Sequence, residues 1–238
     1  MCNGSIMDKL ISFSLPLMVS GILQLAFNAV DIIVVGRFSG SQALAAVGST
    51  TALINVFTNL FIGISLGANV LAARFYAAGK DREMSETVHT SITLALISGI
   101  MMAVIGVLLA KWALEIMGTP DDVIGQSALY MRIYFMGMPF FMLYNYGAAI
   151  LRAIGDTKRP LIFLIISGIA NAALNMILVI LFHMGVAGVA IGTIISQLIS
   201  CVLVLTCLYR SEGSYQLRFS KLKINGAYME QIFQVGVP

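Results

Sequence analysis

Charge is the first thing this sequence lacks. Only 11% of its 238 residues are Asp, Glu, Lys or Arg, where a soluble domain carries roughly a quarter. The few charges gather in short segments between long charge-free runs, which excludes an ordinary water-soluble globule. A formal net charge of +3 is too small to call for nucleic acid or an acidic partner. Cysteine is scarce as well. Cys2, Cys201 and Cys207 stand at no spacing that pairs them with a histidine ligand, so they read as small packing residues. No cleavable signal peptide is expected: the first apolar run, 10–35, is longer than a signal core and contains Asp31, so it reads as a helix of the mature protein.

What the chain has in excess is apolar sequence, 59% of the total, and its arrangement is regular. A membrane-spanning helix needs about 20 predominantly apolar residues. Runs at 10–35, 43–73, 90–110, 133–151, 160–182 and 186–209 reach or approach that length. They predict an all-α integral membrane fold with six transmembrane helices. The second run is longer than a bilayer requires and should tilt or project. The fourth is short unless Arg132 snorkels from its first turn. The fifth and sixth are separated by His183-Met184-Gly185, a tight turn.

Basic residues orient the bundle. With the runs numbered alternately, Lys9, Arg74, Lys80, Arg82, Arg152, Lys158, Arg159, Arg210, Arg218, Lys221 and Lys223 fall on one side. Only Arg37, Lys111 and Arg132 fall on the other. By the positive-inside rule the amino terminus is cytoplasmic, in a multi-pass protein of the cell (inner) membrane. Residues 1–209 then form one six-helix lobe, and the polar, basic stretch 210–228 a cytoplasmic linker. The segment 229–238 repeats the pattern of 7–16: Met, an acid, paired aliphatics, a further apolar residue and a closing proline fall in register. It reads as the start of helix seven, truncated, in a second half of the kind from which transporters are often built.

Polar residues inside the runs are the candidate site. Asp31 is the only acid within the six segments, and an intramembrane carboxylate is a functional residue by default. Asn28 and Gln24 share its helix face. Asn171 and Asn175 stand at i, i+4 in the fifth run, Thr193 and Gln197 at the same spacing in the sixth, and Tyr144 with Asn145 in the fourth. Asn59, Asn69 and Gln197 read as amides that glue helices together by hydrogen bonds. No intramembrane Lys or Arg is available to Asp31, so a proton, a bound cation or a cationic substrate must meet its charge. A carboxylate among amide and hydroxyl oxygens suits a hard cation as well as a proton.

Other features resolve into packing. Gly63 with Gly67, and Gly188 with Gly192, have small-xxx-small spacing for close helix contact. Gly63-Ile64-Ser65-Leu66-Gly67 also matches the G-x-S-x-G pattern of serine hydrolases, but that chemistry needs a strand-turn-helix elbow and this stretch lies inside a helical run. Pro16 and Pro139 mark candidate bends, and Trp112 and Tyr209 fall at expected interfaces.

Six blocks in order resemble the multidrug and toxic compound extrusion (MATE) family. Val30-Asp31-Ile32-Ile33-Val34-Val35-Gly36-Arg37 is similar to its signature at the end of helix one, and Leu44-Ala45-Ala46-Val47-Gly48 to the start of helix two. Gly67-Ala68-Asn69 with Ala73-Arg74, and Ala78-Gly79-Lys80-Asp81, resemble the end of helix two and its loop. Leu151-Arg152-Ala153-Ile154-Gly155-Asp156-Thr157 resembles the loop after helix four. Gly188-Val189-Ala190-Ile191-Gly192-Thr193, ending Ser196-Gln197, resembles helix six.

The resemblance implies one lobe of a twelve-helix MATE-type transporter: a secondary active multidrug exporter, not an enzyme, that couples Na+ or H+ influx to efflux of organic, often cationic, compounds. Its expected partners are small-molecule organic substrates, the lipid bilayer and a missing carboxy-terminal lobe. No cofactor beyond the coupling ion is implied, and no metal site beyond Na+ at Asp31. It implies a cation site of Asp31, Gln24, Asn171, Asn175 and Thr193, with Asn145 alongside. Asn28, Tyr144 and Asn145 would line a substrate pocket. Some members carry a second aspartate where this chain has Asn175, which speaks against a two-acid proton mechanism and leaves single-cation coupling through Asp31, by sodium or a proton. The rival readings are a lipid-linked oligosaccharide flippase of the same superfamily, whose headgroup would call for arginines that this half does not place in a cavity, and a non-transporting membrane protein.

Overall fold

The computed structural model describes residues 6–236, so Cys2 and Pro238 lie outside it. Every long element in it is a helix. In chain order these are α1 (Ile6–Phe38), α2 (Gly40–Ala77), α3 (Asp81–Ile116), α4 (Asp121–Met136), α5 (Met138–Ala153), α6 (Lys158–Met176), α7 (Gly185–Arg210) and α8 (Gly226–Gly236). A π-helical turn, Ile177–Leu181, extends α6, and a 3₁₀ turn, Phe219–Lys221, interrupts the connection between α7 and α8. The helices end where the chain supplies the chemistry for it. After α2 the backbone turns at Gly79 (φ +66°) and the Lys80 amide reaches back to the Phe75 carbonyl at 3.0 Å. Gly155 (φ +88°) does the same after α5, where the Asp156 amide meets Leu151 O at 2.9 Å. Both are Schellman closures, which need a left-handed residue that glycine adopts without penalty.

Five helices are long and apolar enough to cross a membrane: 10–38, α2, α3, α6 with its π turn, and α7. The chain is therefore an all-α, multi-pass membrane bundle. The expected fourth span, 133–151, is not one helix. α4 and α5 meet end to end at Gly137, and each, at 16 residues, is about 24 Å long, less than a hydrocarbon core of about 30 Å. The break has two causes. Pro139 has no N–H to give the preceding turn, and Gly137 is held against α7, where a side chain would come within 2.8 Å of Gln197 Oε1 and Ile194 Cγ1. Hydropathy missed α4 because its first turn carries Asp121 and Asp122, which favour a helix start through the macrodipole but dilute the apolar signal. Pro16, by contrast, sits within an unbroken α1. The last helix begins at Gly226, ahead of the expected Met229.

α5 is the innermost helix, packed between α2, α3 and α7. Its Met142, Tyr146, Ala149, Ile150 and Leu151 are fully buried. Because lipid is as apolar as leucine, contacts of this kind hold through close packing and hydrogen bonds rather than through exclusion of water. Small residues admit the approach: the Phe135 ring lies directly over Gly106 of α3, and Phe57 of α2 meets the same ring edge-on at 6.0 Å. Polar groups add crosslinks, Ser49 Oγ to Ser127 Oγ at 3.1 Å between α2 and α4, and Asn69 Nδ2 donating to Ala149 O at 2.7 Å between α2 and α5. Gly63 and Gly67 of α2 do not face a hydrolase elbow. They receive α8, whose Gly236 and Ile232 carbonyl press onto them.

α1 is the least embedded helix. Only 11% of its most apolar window is buried, against 44% for α2 and for α7. It rests on α6 and α2, and the Phe27 ring seats on Gly168 of α6.

Candidate functional site

One turn beyond Phe27, on the same side of α1, Asp31 meets α6. Asn175 Nδ2 donates to Asp31 Oδ1, and the same amide donates its second hydrogen to Asn171 Oδ1 at 3.4 Å. Asn171 Nδ2 in turn donates to Thr193 Oγ1 of α7 at 3.4 Å, and that hydroxyl donates to Val189 O in its own helix at 2.9 Å. A single hydrogen-bonded chain thus runs from α1 through α6 to α7. Asn175 is fully buried and Asn171 nearly so, while Asp31 is half-buried.

The local sequence accounts for each placement. Asn171 and Asn175 at i, i+4 stack on one face of α6. Gly192 on α7 leaves the space that the Asn175 amide occupies; a Cβ there would overlap Asn175 Oδ1. Immediately after Asn175 the helix widens into the π turn Ile177–Leu181, a feature that concentrates at functional sites. It is followed by the predicted turn, with His183 at φ +52° and Gly185 at φ +55°.

The eight expected site residues divide evenly into four that the fold gathers and four that it does not. Asp31, Asn171, Asn175 and Thr193 are brought together. Gln24 and Asn28 share the face of α1 that leads to Asp31 but are exposed and stand outside the hydrogen-bonded chain; they look out from the bundle, as does much of α1. Tyr144 and Asn145 are elsewhere. Tyr144 Oη donates to Pro160 O at 3.1 Å, fastening α5 to the first turn of α6, and Asn145 Nδ2 donates to Phe141 O at 2.8 Å in its own helix.

Three residues belong to the site that sequence reasoning did not place there. Tyr130 and Tyr134 of α4 lie within electrostatic reach of Asp31, and Tyr134 contacts Gln197 of α7. Tyr130 precedes the fourth apolar run, and Tyr134, the second residue of that run, carries neither a charge nor an amide to mark it. Gln197, expected only to glue helices, lies one turn beyond Thr193. The acceptor oxygens of Asn175 and Gln197 are both buried with no hydrogen-bond donor among the described residues. Asp31 forms no ion pair among them either. The cluster therefore offers a carboxylate, amide oxygens and a hydroxyl, an all-oxygen set suited to a hard cation. Among the described residues no three His, Cys, Asp or Glu side chains gather as metal ligands.

The fold and this cluster define a class: a helical membrane bundle with one half-buried acid wired to amides on a neighbouring helix. Comparison with known proteins narrows the class. The MatE family model matches residues 16–177, and the chain belongs to that family. It is 34% identical over 235 residues to the probable multidrug resistance protein YoeA of Bacillus subtilis, covering 95% of this chain and 50% of that one. To the multidrug export protein MepA of Staphylococcus haemolyticus it is 28% identical over 240 residues, covering 99% and 52%. A crystal structure described as MATE in the bent conformation superposes with a TM-score of 0.91 at 22% identity, over 99% of this chain and 52% of that one. One described as the straight conformation gives 0.90 at the same identity and coverage. The chain spans about half the length of the curated relatives it matches.

Proposed function

We propose that this chain is the amino-terminal lobe of a secondary active multidrug exporter, in which Asp31 binds the coupling cation. The observation that carries the reading is the Asp31–Asn175–Asn171–Thr193 chain: the one acid of the six apolar runs, without a cationic partner among the described residues, joined to two amides of α6 and through them to a hydroxyl of α7. In this reading α4 and α5 together make the fourth of six spans, and residues 210–225 form a cytoplasmic linker. α8 opens a second lobe, which the half-length coverage of the relatives supports. The eleven basic residues on one face support a cytoplasmic amino terminus. The names of YoeA and MepA support organic compounds as the exported class.

The mechanism follows from where the cation would sit. Asp31, Asn171 Oδ1, Asn175 Oδ1, Thr193 Oγ1 and Gln197 Oε1 supply oxygens from three helices. A cation shared among them draws α1 against α6 and α7, and its departure leaves only the Asn175 amide on Asp31. Transport requires that the cation favour one arrangement of α1 and the organic substrate the other, because a ligand shifts an equilibrium only by its differential affinity for the two states. Na+ and H+ both satisfy this chemistry; with one carboxylate in the cluster, single-cation coupling is the simpler scheme.

Asp31→Asn tests it. In the full-length gene product the variant should express normally and lose cation-driven efflux of ethidium from cells and proteoliposomes. Undiminished efflux would remove Asp31 from the mechanism.

A further inference from the structure

A cavity lies at the opposite end of the bundle from Asp31, between the first turns of α3 and the connection to α8. It measures about 720 Å³ and is lined by Arg82, Ser85, Glu86, His89 and Thr90 of α3 and by Lys221, Lys223, Ile224, Asn225 and Gly226. Its walls are fixed by hydrogen bonds. The Arg218 amide donates to His89 Nε2 at 3.1 Å, and His89 Nδ1 meets Ser85 O at 2.6 Å. The Asn225 amide donates to Thr90 Oγ1 at 3.3 Å, and Asn225 Nδ2 donates to Glu86 Oε2 at 2.8 Å. His89 and Thr90 are buried. These bonds hold the connecting segment against α3 in one register, so the cavity is preorganised.

Its charge is unbalanced. Three cations line it against one carboxylate, and Glu86 already serves Arg82 Nε at 3.2 Å and Asn225. Lys221 and Lys223 form no ion pair among the described residues. The depth is equally specific. Thr90 is the first residue of the apolar run 90–110 of α3, so the cavity opens where hydrocarbon gives way to headgroups. Beside the lysines, Phe219 and Ile224 are exposed, and Phe219 stacks on Tyr209 at the end of α7 with ring centroids 5.7 Å apart. Apolar anchors next to unpaired lysines are the arrangement of a segment resting on an anionic bilayer surface.

We infer that this cavity binds the phosphate headgroup of an anionic phospholipid, with Lys221 and Lys223 as the recognising cations and Phe219 and Ile224 in the acyl boundary. The segment between α7 and α8 would then be tethered to the membrane as well as to α3.

The test is lipid retention by the full-length gene product in nanodiscs of mixed phosphatidylglycerol and phosphatidylcholine, read by native mass spectrometry. Both leaflets carry the anionic lipid, so the result does not depend on the orientation of the protein. Wild type should retain phosphatidylglycerol preferentially. Each of Lys221→Gln and Lys223→Gln should cut that preference about fivefold, the worth of one basic residue at an anionic surface. Lys111→Gln, at the other end of α3, should leave it unchanged. Glu86→Gln keeps an acceptor for Asn225 and should raise the preference, which keeps the inference testable if the lysine variants fail to fold. Equal retention in wild type and K221Q/K223Q would overturn it. So would thermal stabilisation by inorganic phosphate alone with no preference for phosphatidylglycerol, which would mark a site for free anions.

Discussion

Two glycines in this bundle do the same thing in different company. Gly106 of α3 lies under the ring of Phe135, and Gly168 of α6 lies under the ring of Phe27. In both places a single methyl group would overlap the phenyl ring. Phe135 is fully buried, pinned by Phe57, and sits next to the α4–α5 junction among the most enclosed residues of the fold. Phe27 is half-exposed on α1, a helix with few attachments. The first contact can only be relieved by straining a packed core; the second can be relieved by α1 leaning away. The bundle thus has a rigid part, α2, α3, α5 and α7, and a movable part, α1, and Asp31 lies at the seam between them. A carboxylate on a loosely held helix, facing the amides of α6 where that helix packs on α7, is a means of turning ion occupancy into helix position.

Three measurements would break or sharpen that contrast. The largest effect should come from Gly106→Ala, which overpacks the rigid part and should destabilise the protein by about 3 kcal/mol, the upper end for an inserted methyl in a closed core, read as a fall in melting temperature in detergent. Asn175→Ala should rank second. It removes the donor that holds Asp31 and should cost about 2 kcal/mol, as for a hydrogen bond to a charged group, and it should abolish any cation-dependent rise in melting temperature. The smallest effect should follow Gly168→Ala, at about 1 kcal/mol, because α1 can move. Phe27→Ala in the same chain should restore the seating of α1, measured as crosslinking between cysteines placed on α1 and α6. If Gly168→Ala proved as damaging as Gly106→Ala, α1 would belong to the rigid part and the proposed movement would fail.

Part of the site was readable before any coordinates. Asp31 stood out because a lone acid in an apolar run has no cheap alternative explanation, and the i, i+4 amides followed from helical geometry. Gln24 and Asn28 show where that reasoning stops. Helix periodicity says which residues share a face and not which neighbour, if any, that face meets. Tyr144 and Asn145 fail for a related reason: a polar residue in a span can be consumed by a backbone carbonyl, as both are here. Tyr130 was missed because α4 begins with acids and most of it was not counted as part of a span, and Tyr134 because a tyrosine at the edge of an apolar run reads as packing.

The amino-acid sequence by itself determined that the chain is helical, lies in a membrane and crosses it several times, because twenty-residue apolar runs have no other low-energy state in lipid or water. It also determined that Asp31 would be the charge to account for, and its ordered motifs pointed to the family. The sequence marked a bend at Pro139, but only the tertiary structure decided that α4 and α5 part at Gly137, since that depends also on Gln197 and Ile194 arriving from α7. Only the tertiary structure joined Asp31 to Asn175, and left Lys221 and Lys223 without an ion pair among the described residues beside a walled cavity. Propensity and hydropathy act along the chain; which side chains meet, and which are left without a partner, is settled by how the helices pack.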